Sequence, residues 1–192
     1  KKVNIDGLDK RIKCVRYATM EFKKVMNTAE YLITNCRTDP YKFFWKKRPD
    51  QKYIMLWHGG VALKRIEKDV EEKLGFIYTQ KAKIDSKNCD LMVSGCDFFT
   101  GLLKNKFWYS GEVLEKGTPR CDIFYKKELH KEMDRKIRAK YQIPEDNKLV
   151  LYAPTFRKNK SLEPYSINWN TAIPEISRLF NGSPVSVLLR LH

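Results

Sequence analysis

The clearest apolar run in the chain is Tyr53-Ile-Met-Leu-Trp57. It stops at His58-Gly59-Gly60 and gives way to a charged segment from Lys64 onward. Such a run closed by glycines predicts a buried strand, a tight turn and a helix beyond it, here over residues 64–74. The pattern recurs along the chain. Residues 29–35 read as a short strand entering a turn at 36–40. Residues 89–94 read as another buried strand. Gly95-Cys96-Asp97 then opens a helix to about residue 107, with Asp97 as N-cap or first-turn acid. Residues 112–117 predict a further strand running into the turn Thr118-Pro-Arg-Cys-Asp122.

Beyond Tyr125 the composition shifts. Residues 126–141 form a strongly charged helical pattern with Leu129, Met133, Ile137 and Tyr141 on one face. Residues 148–153 predict a strand that breaks into Pro154-Thr-Phe-Arg157, and residues 158–170 read as a polar loop. A helix is expected over 171–180 in spite of Pro174, then a strand over 185–191 ending at His192. Strands alternating with helices predict an α/β chain with parallel sheets, divided between about residues 123 and 147.

Composition bounds the function. The chain has 192 residues, 42% hydrophobic and 12% aromatic, which suits a globular protein with a real core. Its net charge of +15 points to nucleic acid, an acidic membrane face or phosphorylated substrates, or else to a lysine-rich solubilising surface. No apolar run approaches the roughly 20 residues that span a bilayer, and no signal peptide is visible. A soluble or peripheral chain is therefore expected. The five cysteines are odd in number and include no C-x-x-C pair, so neither a disulfide framework nor a zinc knuckle is supported. The chain begins without methionine and ends directly after an apolar run, as a segment of a longer protein would. Tyr41-Lys-Phe-Phe-Trp-Lys-Lys-Arg48 mixes aromatics with cations; it suits either a lipid-headgroup surface or, as favoured, core aromatics with charges facing water.

Three strand ends carry similar chemistry: His58 with Gly59 and Gly60, Thr155 with Arg157, and Arg190 with His192. The carboxyl ends of parallel strands line one edge, so two facing sheets would border a single cleft. A lone strand-end histidine is as often structural as catalytic; three similar ends favour a site. The set offers His58 as general base and several cations, without a carboxylate cluster for a divalent metal. It suits transfer of a phosphorylated group with a diphosphate leaving group.

Trp57-His58-Gly59 with Lys64 and Asp69, Gly117-Thr-Pro-Arg-Cys-Asp122, Tyr152-Ala-Pro-Thr-Phe-Arg157 and Arg190-Leu-His192 resemble the CDP-glycerol glycerophosphotransferases, the teichoic acid primases and polymerases. The resemblance spans about residues 29–192 and is not detectable before that. It implies a GT-B-like fold of two Rossmann-like lobes. These are an acceptor-side lobe over 29–125, after a basic segment at 1–28, and a linker helix with the start of a truncated donor-binding lobe over 126–192.

It also implies transfer of glycerol phosphate from CDP-glycerol to a hydroxyl on a lipid-linked acceptor, with release of CMP, at the cytoplasmic membrane face and without a metal or other cofactor. His58 takes the place of the base, and Thr155, Arg157, Arg190 and His192 approach the donor phosphates. Gly59, Gly60 and Lys64 are candidate acceptor or phosphate contacts, and Arg120 and Asp122 brace a turn. The chain departs from the family pattern at Gly60-Val61, Gly95-Cys96, Cys121 and Phe156.

Two other readings remain at this point. One is a related enzyme using CDP-ribitol or a sugar nucleotide. The other is a basic nucleic-acid-binding module, for which only residues 41–48 offer aromatics among cations.

Overall fold

The structure is a computed structural model that describes residues 7–38, 45–59, 64–154, 163 and 166–190. The chain divides into two compact units, Lys1–Asp122 and Ile123–His192.

The first unit is built on a four-stranded parallel sheet in the order β1-β2-β3-β4: Tyr31–Thr34, Lys52–Met55, Leu91–Ser94 and Glu112–Glu115. Burial follows the period of two expected of a strand. In β2, Tyr53 and Met55 are buried while Lys52 is exposed. Among the described residues three α-helices accompany the sheet: α1 at Met20–Thr28, α2 at Phe76–Asn88 and α3 at Asp97–Lys106. Thr19 caps α1, accepting a hydrogen bond from the Phe22 backbone N–H. Phe22 and Met26 of α1 pack against the core.

That core gathers Tyr53, Met55 and Met92 from the strands with Phe99, Leu103 and Phe107 from α3 and its end. Trp45 joins it, crossing Tyr53 edge-on at 5.9 Å, with its indole N–H on Gln51 at 3.0 Å. Trp45 is thus a core aromatic; residues 41–44 of the same stretch lie outside the described residues.

The expected strands are found, each slightly shorter than the apolar pattern. Asp97 is a first-turn acid, and the N-cap is Cys96. Two elements differ from expectation. The helix expected over 64–74 is a 3₁₀ helix confined to Glu67–Lys73 and kinked at Val70. Glu67 starts it in a left-handed conformation, φ 53°, with its carboxylate turned inward. Helix α2, between β2 and β3, was not anticipated. Its buried positions are Thr79, Ala82, Asp85 and Ser86, while Phe76 and Ile77 are exposed, so no apolar stripe announces it.

In the second unit, β5 (Lys148–Tyr152) pairs in parallel with β6 (Val185–Leu189). Helix α4 covers Lys127–Tyr141 and α5 covers Trp169–Leu179. Helix α5 begins before the predicted start because Asn168 caps it, accepting from the Asn170 N–H at 3.1 Å. His130 faces solvent, with Nε2 against the Ile123 carbonyl at 2.8 Å. Met133 and Tyr141 of the expected apolar face are 46% and 53% exposed, so that face is only partly covered. Among the described residues, no helix is long and apolar enough to cross a membrane.

Phe99 is fully buried. Phe99→Ala is expected to cost about 3–5 kcal/mol, seen as a lower urea midpoint at unchanged slope. Burial pushes the Cys89 thiol up to about 12. Alkylation requires the thiolate, so iodoacetamide at mildly alkaline pH should label exposed Cys14 and Cys36 and spare Cys89 until the chain is unfolded. A raised folded-state value favours the fold while the unfolded thiol is still protonated. That contribution declines as pH climbs past the ordinary thiol range and is gone above about 12.

Candidate active site

The carboxyl end of β2 is where the regular ladder stops. Its last bond runs from the Leu56 N–H to the Thr34 carbonyl at 2.8 Å. Trp57 then takes a left-handed conformation, φ 55°, uncommon for a bulky residue and a mark of a locally constrained backbone. Its ring meets Phe107 edge-on at 4.8 Å and lies 4.3 Å from the His58 imidazole at 33°. The turn thus seats the tryptophan on the core and leaves the histidine exposed.

His58 is held at two points. Nδ1 lies 3.0 Å from the Asn35 backbone carbonyl, just past β1. A carbonyl only accepts, so Nδ1 carries a hydrogen, and in the neutral imidazole the lone pair is on Nε2. At the other end of the residue, Arg120 Nη1 donates to the His58 carbonyl at 2.8 Å.

His58 lines a cleft of about 650 Å³ with Trp57, Gly59, Lys64, Arg65, Ile66, Glu67, Val70, Leu74 and Tyr78. The floor is mainly apolar and aromatic. Lys64, exposed, forms no ion pair among the described residues. Asp69 is engaged structurally, with Lys106 Nζ at 2.6 Å.

Behind the cleft lies a buried polar network that sequence reasoning missed. Arg37, in the stretch expected to be a turn, sends Nη1 to the Ala82 carbonyl at 3.2 Å, Asp85 Oδ2 at 3.1 Å and Ser86 Oγ at 2.6 Å. Its Nη2 reaches Glu67 Oε2 at 2.8 Å and the Phe107 carbonyl at 3.2 Å. The guanidinium lies 5.2 Å from the Phe107 ring centre and 6.0 Å from that of Trp57. Tyr78 donates to Glu67 Oε1 at 2.7 Å, and Tyr53 to Asp85 Oδ1 at 3.0 Å. Burial opposes the charge on Arg37, but Glu67 and Asp85 outweigh it and hold the guanidinium protonated more tightly than usual. Burial and the bond to Glu67 push the Tyr78 hydroxyl up to about 12. The signal available in the sequence was a small and polar stripe, Thr79, Ala82 and Asp85-Ser86, at helical spacing.

Of the residues expected to form the site, His58, Gly59 and Lys64 share the cleft, and Arg120 reaches His58. Asp122 is exposed and does not line the cleft. Arg190 is exposed in the second unit, its backbone N–H on the Tyr152 carbonyl at 2.9 Å. Gly60, Thr155, Arg157 and His192 lie outside the described residues.

The family model described as CDP-Glycerol:Poly(glycerophosphate) glycerophosphotransferase matches residues 1–192. The chain belongs to this family. The match includes the first 28 residues, so the likeness is not limited to residues 29–192 as expected.

Among the chain's curated relatives is the teichoic acid glycerol-phosphate transferase of Staphylococcus aureus. It is 30% identical over 182 residues, covering 91% of this chain and 46% of the relative. The teichoic acid poly(glycerol phosphate) polymerase of Staphylococcus epidermidis is 28% identical over 190 residues, covering 93% and 25%. The wall teichoic acid polymerase TagF has a solved structure with a TM-score of 0.70 at 25% identity, covering 93% of this chain and 43% of that one. A TagF variant soaked with CDPG, 24% identical at TM-score 0.70, shares the fold. The α/β, GT-B-like reading with parallel sheets is borne out. The chain spans between a quarter and about half of the length of these relatives.

Removing one partner of a buried ion pair strands the other charge. Arg37→Ala is therefore expected to cost about 3–5 kcal/mol in chemical denaturation, well above the cost of Lys64→Ala, whose side chain is exposed at the cleft rim.

Proposed function

We propose that the protein containing this chain transfers glycerol phosphate from CDP-glycerol to a hydroxyl of a lipid-linked or polymeric acceptor, releasing CMP, in the synthesis of a teichoic-acid-like or capsular polymer. The observation that carries this reading is the contact of His58 Nδ1 with the Asn35 carbonyl at 3.0 Å. With Nδ1–H donating to a backbone carbonyl, Nε2 of the neutral ring is an acceptor without a hydrogen-bond partner among the described residues, on a residue lining the cleft. A general base needs that arrangement.

In the proposed step the acceptor hydroxyl gives its proton to Nε2 as its oxygen attacks the phosphorus that bears the glycerol. The bond from that phosphorus to the bridging oxygen breaks, and CMP leaves with the electron pair. Lys64 and Arg65 at the same cleft supply positive charge for phosphate oxygens. Thr155, Arg157, Arg190 and His192 are proposed to contact the donor diphosphate, on the strength of their motifs. The reaction is proposed to need no metal or other cofactor, its charge being carried by these cations. The net charge of +15 supports peripheral attachment to an anionic membrane surface, proposed to be the cytoplasmic face.

CMP release from CDP-glycerol in the presence of a polyol-phosphate acceptor tests the reading, with CDP-ribitol and UDP-sugars alongside. CDP-glycerol should be the preferred donor; preference for another would reassign the substrate. His58→Ala should lower kcat by about 10²–10⁴-fold while the protein stays folded. Wild-type turnover by that variant would remove His58 as the base.

A further inference from the structure

We propose that Arg120 is a positioning residue for His58, locking the histidine so that Nε2 is presented to the cleft. This rests on the reading of His58 as the base. The contact joins residues 62 positions apart in sequence, from Arg120 Nη1 to the His58 carbonyl at 2.8 Å. Among the described residues the Arg120 side chain makes no other hydrogen bond or ion pair. An arginine that only braced its own turn would be bonded to that turn.

His58 needs such a hold. Past the Leu56 N–H the strand has left its ladder, and Trp57 is left-handed. Among the described residues, no backbone–backbone hydrogen bond involves His58 or Gly59. The imidazole contact to Asn35 fixes the ring only if the residue's own backbone is fixed. Arg120 supplies that second point, so rotation of the peptide and tilting of the ring are restrained together.

Arg120 is itself anchored. It belongs to the short 3₁₀ helix Pro119–Tyr125. The residues before it are tied to the end of β3, where the Ser94 carbonyl accepts from the Lys116 N–H at 3.2 Å and the Gly117 N–H at 3.0 Å. Gly117 takes φ 89°, a conformation suited to glycine, at the turn that leads into this helix. Thr118, buried, accepts through its backbone carbonyl from the Cys121 N–H at 2.9 Å. The exit from β1 thus reaches His58 through Asn35, and the turn after β4, tied to Ser94 at the end of β3, reaches it through Arg120.

The test uses the intact protein with Arg120→Leu and Arg120→Lys, the lysine retaining a donor for the carbonyl. The leucine variant should lose about 10–100-fold in kcat for CMP release, since small misplacements of a reacting group carry costs of that order. Its KM for CDP-glycerol should stay within about 2-fold, the signature of an effect confined to the chemical step. The lysine variant should recover a measurable part of kcat.

Imidazole ¹⁵N NMR of His58 gives a readout independent of turnover. Wild type should show the Nδ1–H tautomer, and Arg120→Leu a mixture of tautomers. Wild-type kcat in the leucine variant overturns the proposal. So does a loss of kcat with the tautomer unchanged, which would assign Arg120 to substrate instead. A collapse of thermal stability in both variants also overturns it, making Arg120 a brace. If wild type releases no CMP from CDP-glycerol, the functional reading fails, and the tautomer comparison still decides the positioning role.

Discussion

A buried guanidinium organises the first unit. Arg37 leaves the end of β1 and is enclosed by Glu67, Asp85, Ser86 and the carbonyls of Ala82 and Phe107. A charge taken out of water must be matched by opposite charge and filled hydrogen bonds, or the fold is penalised by several kcal/mol. Four segments must therefore come to one point: the exit from β1, the 3₁₀ helix at Glu67–Lys73, the carboxyl-terminal half of α2 and the end of α3. The left-handed Glu67 and the polar inner face of α2 follow from that requirement. The match is nearly complete; Arg37 Nε is buried without a hydrogen bond.

The same cluster sets the cleft. Glu67, tied by Arg37 on one side and Tyr78 on the other, forms part of its wall. Trp57 sits beside the guanidinium and against Phe107, and His58 sits beside Trp57. A rigid charged cluster beneath an exposed histidine is how a scaffold holds a reactive group in place without burying it. The cleft has a mainly apolar lining with Lys64 and Arg65 exposed beside it. Asn35 and Arg120 then decide which ring nitrogen is free and where it stands.

Much of this was legible in the chain. Short runs with apolar centres, ended by glycine or polar residues, located each described strand, because at least the inward-facing positions of a strand must be apolar to reach the core. Trp57-His58-Gly59 and Lys64 were placed at one site by motif, and the structure puts them in one cleft. Helix α2 stayed hidden because it packs a polar, hydrogen-bonded face against Arg37, and hydrophobic periodicity does not register such a face. The pattern over 64–74 predicts a longer regular helix, whereas the inward pull on Glu67 arises only once Arg37 is in place.

The sequence alone determined the alternation of strands and helices, the parallel sheets and the histidine at the end of β2, since each depends on local pattern and on residues adjacent in the chain. Tertiary structure decided the tautomer of His58, its hold by Arg120 and the burial of Arg37. These depend on groups brought together from positions 23 to 70 residues apart. A hydrogen bond or ion pair at such separation exists only after the strands have set their order and register, and no local pattern of apolar and polar residues encodes which distant partner will stand opposite.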